Sequence, residues 1–476
     1  MEKSKLIDLL RALEANEWRS FLDFVSSPYY NKDPAVIALA KYLVNTAKKG
    51  FPAAALTIDR VWAAMFTNTP IDEKKLSYLN SSLLQLGESF LAVKTFEADG
   101  EAFRLYQMEA CIARGLEKSK RLIVGKIEKR LTKPRELTPR SLYQWFQYQQ
   151  LQQKAFTQLG ERKETPYLQS TVDALDSYYF ASKLRLHCEM LNYQLAINTK
   201  YIFRFASEQD RSHIDQLPNS QLAQLYARAY ELLQTENRED LFQAFVELLS
   251  NVEDLLARAT FTNLYFQGVN YCIQQIVNGY KTFIPLLLAC YREGLKHGYL
   301  LENGRLTPGT YKNMVKLGLG LGQTDWVDEV VENYTSLLPP ATQSDAYNFN
   351  RADISYHRKA YDTALDFLQQ TEFTDVHYAI GAKTMLCKIY YETEETEALL
   401  ALLFSFNLYM LRNRLVGQGT KEAYRNFIRF TKQLERAKHP EALGKLHRRI
   451  TECKALSDRN WLISEVEKKY NINGSS

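Results

Sequence analysis

Apolar residues recur along this chain in steps of three and four, the spacing of amphipathic helices. Leu6, Leu9, Leu10 and Leu13 form the first such stripe. Trp18, Phe21, Leu22 and Phe24 form a second, which stops at Ser-Ser-Pro-Tyr-Tyr-Asn, 26–31. Asp33 precedes Pro34, an N-cap followed by a first-turn proline, so a third helix starts there. Thr57 opens a helix carrying Val61, Trp62, Met65 and Phe66, and Asp72 caps a longer one. In that last helix Leu76, Leu79, Leu83, Leu86 and Phe90 are spaced as the seam of a tightly packed helix pair. These stripes define an N-terminal helical domain, 1–98. From 99 to 309 the pattern is less regular. Amphipathic helices are predicted over 102–130, 142–159, 167–199, 222–234 and 238–257, with breaks at Thr132-Lys133-Pro134 and Gln216-Leu217-Pro218. They imply helical hairpins of unequal length.

A 34-residue period governs 310–415. Tyr356 is matched by Tyr390, Ala364 by Ala398, Leu365 by Leu399 and Leu368 by Leu402. One period upstream the same columns hold Gly322, Val330, Val331 and Tyr334. Units 311–344, 345–378 and 379–412 each offer two helices. Gly318 and Ala352, and Ala364 and Ala398, are small enough to let helices cross closely. A period of this length belongs to stacked helix–turn–helix units, each burying its apolar face against the next. The predicted fold is therefore all-α: a helical-hairpin repeat superhelix, an α-solenoid, with an N-terminal helical domain and basic C-terminal helices over 416–476.

The columns of small residue, aromatic, Tyr, Ala-Leu and large apolar residue resemble the tetratricopeptide repeat over about a fifth of the chain. The Trp expected early in each unit is replaced by Lys312-Asn313-Met314, Asn348 and Gly381, and the closing Pro is out of register. The whole chain also resembles a group of helical-repeat proteins of Bacteroidota-type bacteria. The segments carrying that resemblance are SPYYN at 27–31, DEKKLSYLNSSLLQL at 72–86, GLKHGYLLENGRLTP at 294–308 and EAYRNFIRF at 422–430. The group has no assigned activity, so the resemblance implies an architecture and no chemistry.

Composition adds few constraints. The chain has 476 residues, 46% of them apolar and 24% charged, as in an ordinary globular protein too long for one core. Its 30 tyrosines suit half-buried seams between repeats. Residues 421–470 hold 13 Lys/Arg against seven Asp/Glu, whereas the whole chain is only +5, so the positive charge is C-terminal. Six scattered cysteines without a C-x-x-C pair imply reduced thiols and a cytoplasmic location. The N-terminus carries Asp8, Glu14 and Glu17 and lacks a signal-peptide core. The longest apolar run, 398–411, is broken by Ser405 and Asn407 and is too short for a bilayer, so no membrane is expected.

Candidate chemistry is sparse. Gly318, Gly320 and Gly322 have neither the spacing nor the preceding strand of a phosphate loop, and the repeat phase puts them inside a helix that packs closely. None of the seven histidines has the partner spacing of a zinc helix, and no Ser or Cys sits in a nucleophile elbow. Glu392, Glu394, Glu395 and Glu397 fall at a turn and a helix start, where carboxylates favour the helix dipole. No enzyme activity, metal or cofactor is expected. The expected function is a protein-interaction scaffold or adaptor that holds a protein segment in the superhelical groove. The first helices of the repeats would contribute Val315, Leu319, Phe349, Asp353, Tyr356, Lys383, Cys387 and Tyr390 to that groove, with Phe349, Asp353, Tyr356, Lys383 and Tyr390 as its principal contacts. The second expectation is a regulatory nucleic-acid-binding protein using Arg425, Arg429, Arg436, Arg448 and Arg449.

Overall fold

The computed structural model describes all residues except 1, 68, 132–136, 159, 161–162, 198–199, 205–207, 219, 370–371, 374, 414–415, 438 and 475–476. Among the described residues there are 23 α-helices and one two-stranded hairpin. Helices neighbouring in sequence pack against one another at both ends of the chain, over residues 5–131 and 239–474. Two compact units are formed. The first comprises Met1–His187, Phe203–Ala227 and Asp254–Ala257, and the second comprises Cys188–Ile202, Arg228–Glu253 and Arg258–Ser476.

The N-terminal helices are α1 (Lys5–Ala12), α2 (Glu17–Ser26), α3 (Pro34–Ala47), α4 (Ile58–Met65) and α5 (Glu73–Ala98). Their starts follow the expected caps. The Asp33 carboxylate accepts from the Ala35 N–H at 2.8 Å and the Asp72 carboxylate from the Lys75 N–H at 3.0 Å, each satisfying an orphan donor of a first turn. The seam of α5 buries Leu76, Leu79, Leu83 and Phe90 against Leu6, Leu10 and Phe21. Gly87 lets α1 approach: a Cβ there would meet Leu9 Cδ2 at 2.9 Å.

The middle helices are α6 (Gly100–Ala113), α7 (Glu117–Leu131), α8 (Pro139–Gln158), α9 (Tyr167–Ile197), α10 (Glu208–Gln216), α11 (Gln221–Gln234), α12 (Glu239–Asn251), α13 (Arg258–Val277) and α14 (Phe283–Lys296). The single helix expected over 102–130 is two. Gly115 takes φ +66°, its N–H bonds to Ile112 O, and the Leu116 N–H reaches back to Cys111 O at 2.9 Å. This Schellman closure needs a left-handed residue, and glycine supplies it without cost. The helix expected over 238–257 also ends early, at Asn251. Strands β1 (Leu301–Glu302) and β2 (Arg305–Leu306) flank Asn303 and Gly304, both at positive φ, as a two-residue hairpin turn demands. The predicted break at Thr132-Lys133-Pro134, and the predicted ends Leu159 and Thr199, lie outside the described residues.

The phased region forms the expected pairs: α15 (Pro308–Gly320) with α16 (Thr324–Tyr334), α17 (Pro340–His357) with α18 (Tyr361–Gln369), and α19 (Val376–Glu392) with α20 (Thr396–Arg412). Gly318 sits at the α15–α16 crossing, where a Cβ would overlap Val327 Cγ2 and come within 3.0 Å of the Trp326 ring. Gly322 is not inside a helix. It is the left-handed residue (φ +68°) after α15, and the Gln323 N–H closes the same motif on Gly318 O at 2.8 Å. The chain ends in α21 (Gln418–Arg436), α22 (Pro440–Glu452) and α23 (Arg459–Gly474). One apolar cluster runs from Ile380 and Leu403 through Phe427 and Leu443 to Val466.

Candidate functional site

The five residues expected as principal contacts of the superhelical groove lie on α17 and α19, and each makes contacts within the chain, while Val315 and Leu319 on α15 and Cys387 on α19 are buried. The Phe349 ring packs on Phe373 and Tyr378, with centroids 6.4 and 5.4 Å away, and closes over Gly381. Lys383 Nζ stands 5.3 Å from the Tyr409 ring centroid. Tyr390 packs against the C-terminal apolar cluster. Asp353 lies 3.8 Å from His357 Nε2. Burial raises its carboxyl, and His357 and Lys388 oppose the shift.

Tyr356 belongs to a polar cluster centred on Glu392. The Glu392 carboxylate accepts from the Tyr356 hydroxyl, from the Tyr361 hydroxyl at 2.5 Å and from Trp461 Nε1 at 2.7 Å. Burial pushes this carboxyl up, but the three donors and the Lys468 charge outweigh it and hold it below the usual range. The Tyr361 phenol is pushed up to about 12, by burial and then by Glu392. Lys388 pairs with Asp458, and its Nζ lies 5.9 Å from the Trp461 ring and 6.0 Å from that of Tyr356. The start of α23 therefore seats on the α17–α19 face. A carboxylate whose lone pairs serve three donors is poorly placed to take a substrate proton, so this cluster ties the C-terminal helix to α17 and α19.

An open groove lies between α20 and α21. Its volume is about 790 Å³. The sequence dictates both walls. Leu399, Leu403, Phe406 and Met410 turn one stripe of α20 into the core. Leu400, Phe404, Asn407 and Leu411 repeat at the same spacing one position further on, so α20 carries a second, largely apolar stripe. That stripe lines the groove, where Phe404 remains 69% and Leu411 52% exposed. On α21, Phe427, Phe430 and Leu434 are buried, while Lys421, Arg425, Arg429 and Lys432 step along the groove side at helical spacing. No ion pair engages these four cations among the described residues. Nearby cations are treated differently: Lys445 pairs with Glu441 and Lys468 with Glu465. Arg429 is held over the Phe430 ring at 4.8 Å, and Glu422 is the single carboxylate in the lining.

Arg425 and Arg429 are thus brought together with two lysines. Arg436, Arg448 and Arg449 are not part of the lining. Arg449 donates to Gln433 Oε1 at 3.0 Å and lies 5.8 Å from the Phe430 ring. The second stripe of α20 is the signal that a reading for a single buried face passes over. Among the described residues, no group of three or more His, Cys, Asp or Glu side chains is arranged to hold a metal ion. No helix there is long and apolar enough to cross a membrane. Comparison of the chain with family models, curated proteins and solved structures returns no match.

Proposed function

We propose that this chain is a non-enzymatic interaction scaffold that binds a segment of another protein, and that the α20–α21 groove is its binding surface. The carrying observation is the pairing of a solvent-exposed apolar stripe with four uncompensated cations in one concavity. Exposed apolar surface rimmed by charge marks interaction sites. Within this reading the three phased hairpins are tetratricopeptide-like repeats, as their 34-residue columns support, and the chain belongs with the Bacteroidota-type proteins it resembles in sequence. Scattered, mostly buried cysteines support the cytoplasm as its location.

The partner segment was expected on the α17–α19 face. The contacts of Phe349, Tyr356 and Tyr390 within the chain favour the α20–α21 groove instead. The nucleic-acid reading draws on the same Arg425 and Arg429, but sequence-tolerant strand binding uses aromatic platforms on which successive bases stack. Here the apolar wall is aliphatic apart from Phe404. A photo-reactive phenylalanine analogue in place of Phe404, irradiated in the native host, tests the assignment. Crosslinking to a discrete protein is the expected result. Crosslinking to nucleic acid, or none beyond background, contradicts it.

A further inference from the structure

We infer that the occupant of the α20–α21 groove is an acidic amphipathic helix of a partner protein; this rests on the binding-surface reading above. Three features select it. Both walls are helices whose backbone donors and acceptors are already used internally, so the groove offers no open edge to an extended strand. Recognition must run through side chains, as in helix-in-groove binding. Next, the walls match in length. From Leu400 to Leu411 and from Lys421 to Lys432 each spans three turns, about 16 Å at 1.5 Å per residue. An occupant helix of similar length would set apolar residues at i, i+3/4 and i+11 against Leu400, Phe404 and Leu411. Last, charge selects the flank. With Lys421, Arg425, Arg429 and Lys432 unpaired and only Glu422 opposing them, the side of the occupant facing α21 carries Asp or Glu.

The probe is a fluorescent peptide of about 18 residues, five helical turns, with Leu at helical spacing and Glu along one flank. It is titrated into the full chain beside its Gln-for-Glu analogue, an oligouridine and vesicles containing phosphatidylserine. Saturable binding of the acidic peptide is expected, weakened on the order of tenfold by Arg425→Glu and by the milder pair Arg425→Gln/Lys432→Gln, and steeply by added salt. Phe404→Ser weakens it with less change in salt dependence. All of these side chains but Lys421 are exposed, so the variants keep the wild-type melting temperature. Equal binding of the Gln analogue overturns the acidic partner while leaving the protein-binding surface standing. Preferential binding of oligouridine or vesicles, lost in Arg425→Glu, overturns both. Binding of no probe by the folded chain overturns the acidic helix, and the crosslink at Phe404 then decides the surface separately.

Discussion

Glu392 joins three side chains that lie far from it in sequence. It receives three hydrogen bonds, from Tyr356 and Tyr361, 36 and 31 positions before it, and from Trp461, 69 positions after it. Glu392→Ala strands three partly buried donors, and each such loss costs on the order of 1–3 kcal/mol. A drop of about 3 kcal/mol in unfolding free energy is expected by denaturant titration, with lost α23 protection in hydrogen exchange. The pH dependence has a definite sign. The folded carboxyl titrates below the usual glutamate value of 4.5, so its contribution is full above that value and is lost as pH falls through the lower folded one. Glu392→Gln should therefore flatten the acid limb of the stability profile below the usual glutamate value of 4.5. An unchanged limb would mean that other carboxylates govern it. Sequence spacing put Glu392 in a turn, where a dipole role was the natural expectation. Its partners across the chain leave no local spacing signal, which is why the cluster was not legible.

At the scale of elements, the glycines in and just after α15 separate packing from propensity. Ala is the better helix former by about 1 kcal/mol. Gly320→Ala meets nothing within 4 Å and should be neutral or slightly stabilising. Gly318→Ala drives a methyl into Val327 and Trp326, and overpacking of this kind costs about 1–3 kcal/mol. Gly322→Ala strains a left-handed residue and should cost about 1 kcal/mol. Thermal melts of the three variants check the order: Gly320→Ala above Gly322→Ala, with Gly318→Ala lowest. Caps and period were readable because Asp33, Asp72 and the paired columns of Tyr356 and Tyr390 act locally or repeat. The split at Gly115 was not, because the same glycine is tolerated inside helices and only its tertiary surroundings choose the left-handed state. Asn303-Gly304, by contrast, carried an ordinary hairpin signal inside a helical context.

For the whole molecule, the functional question is which surface stays open once the chain has satisfied itself. On the α17–α19 face, Tyr356, Lys388 and Glu392 meet Asp458 and Trp461. Between α20 and α21 the chain leaves Phe404, Leu411, Arg425, Arg429 and Lys432 to solvent. Arg425 and Arg429 were legible as basic residues four apart. Their companions on α20 were not, because a helix apolar all round reads as simply buried. The most direct test is affinity capture of the tagged chain from lysate of its native host, with and without nuclease, beside the Phe404→Ser/Arg425→Glu variant. The account predicts a stoichiometric protein that survives nuclease with the native chain and is absent from the variant, while both chains melt at the same temperature. Nucleic acid in the eluate, or the same protein retained by the variant, would contradict it.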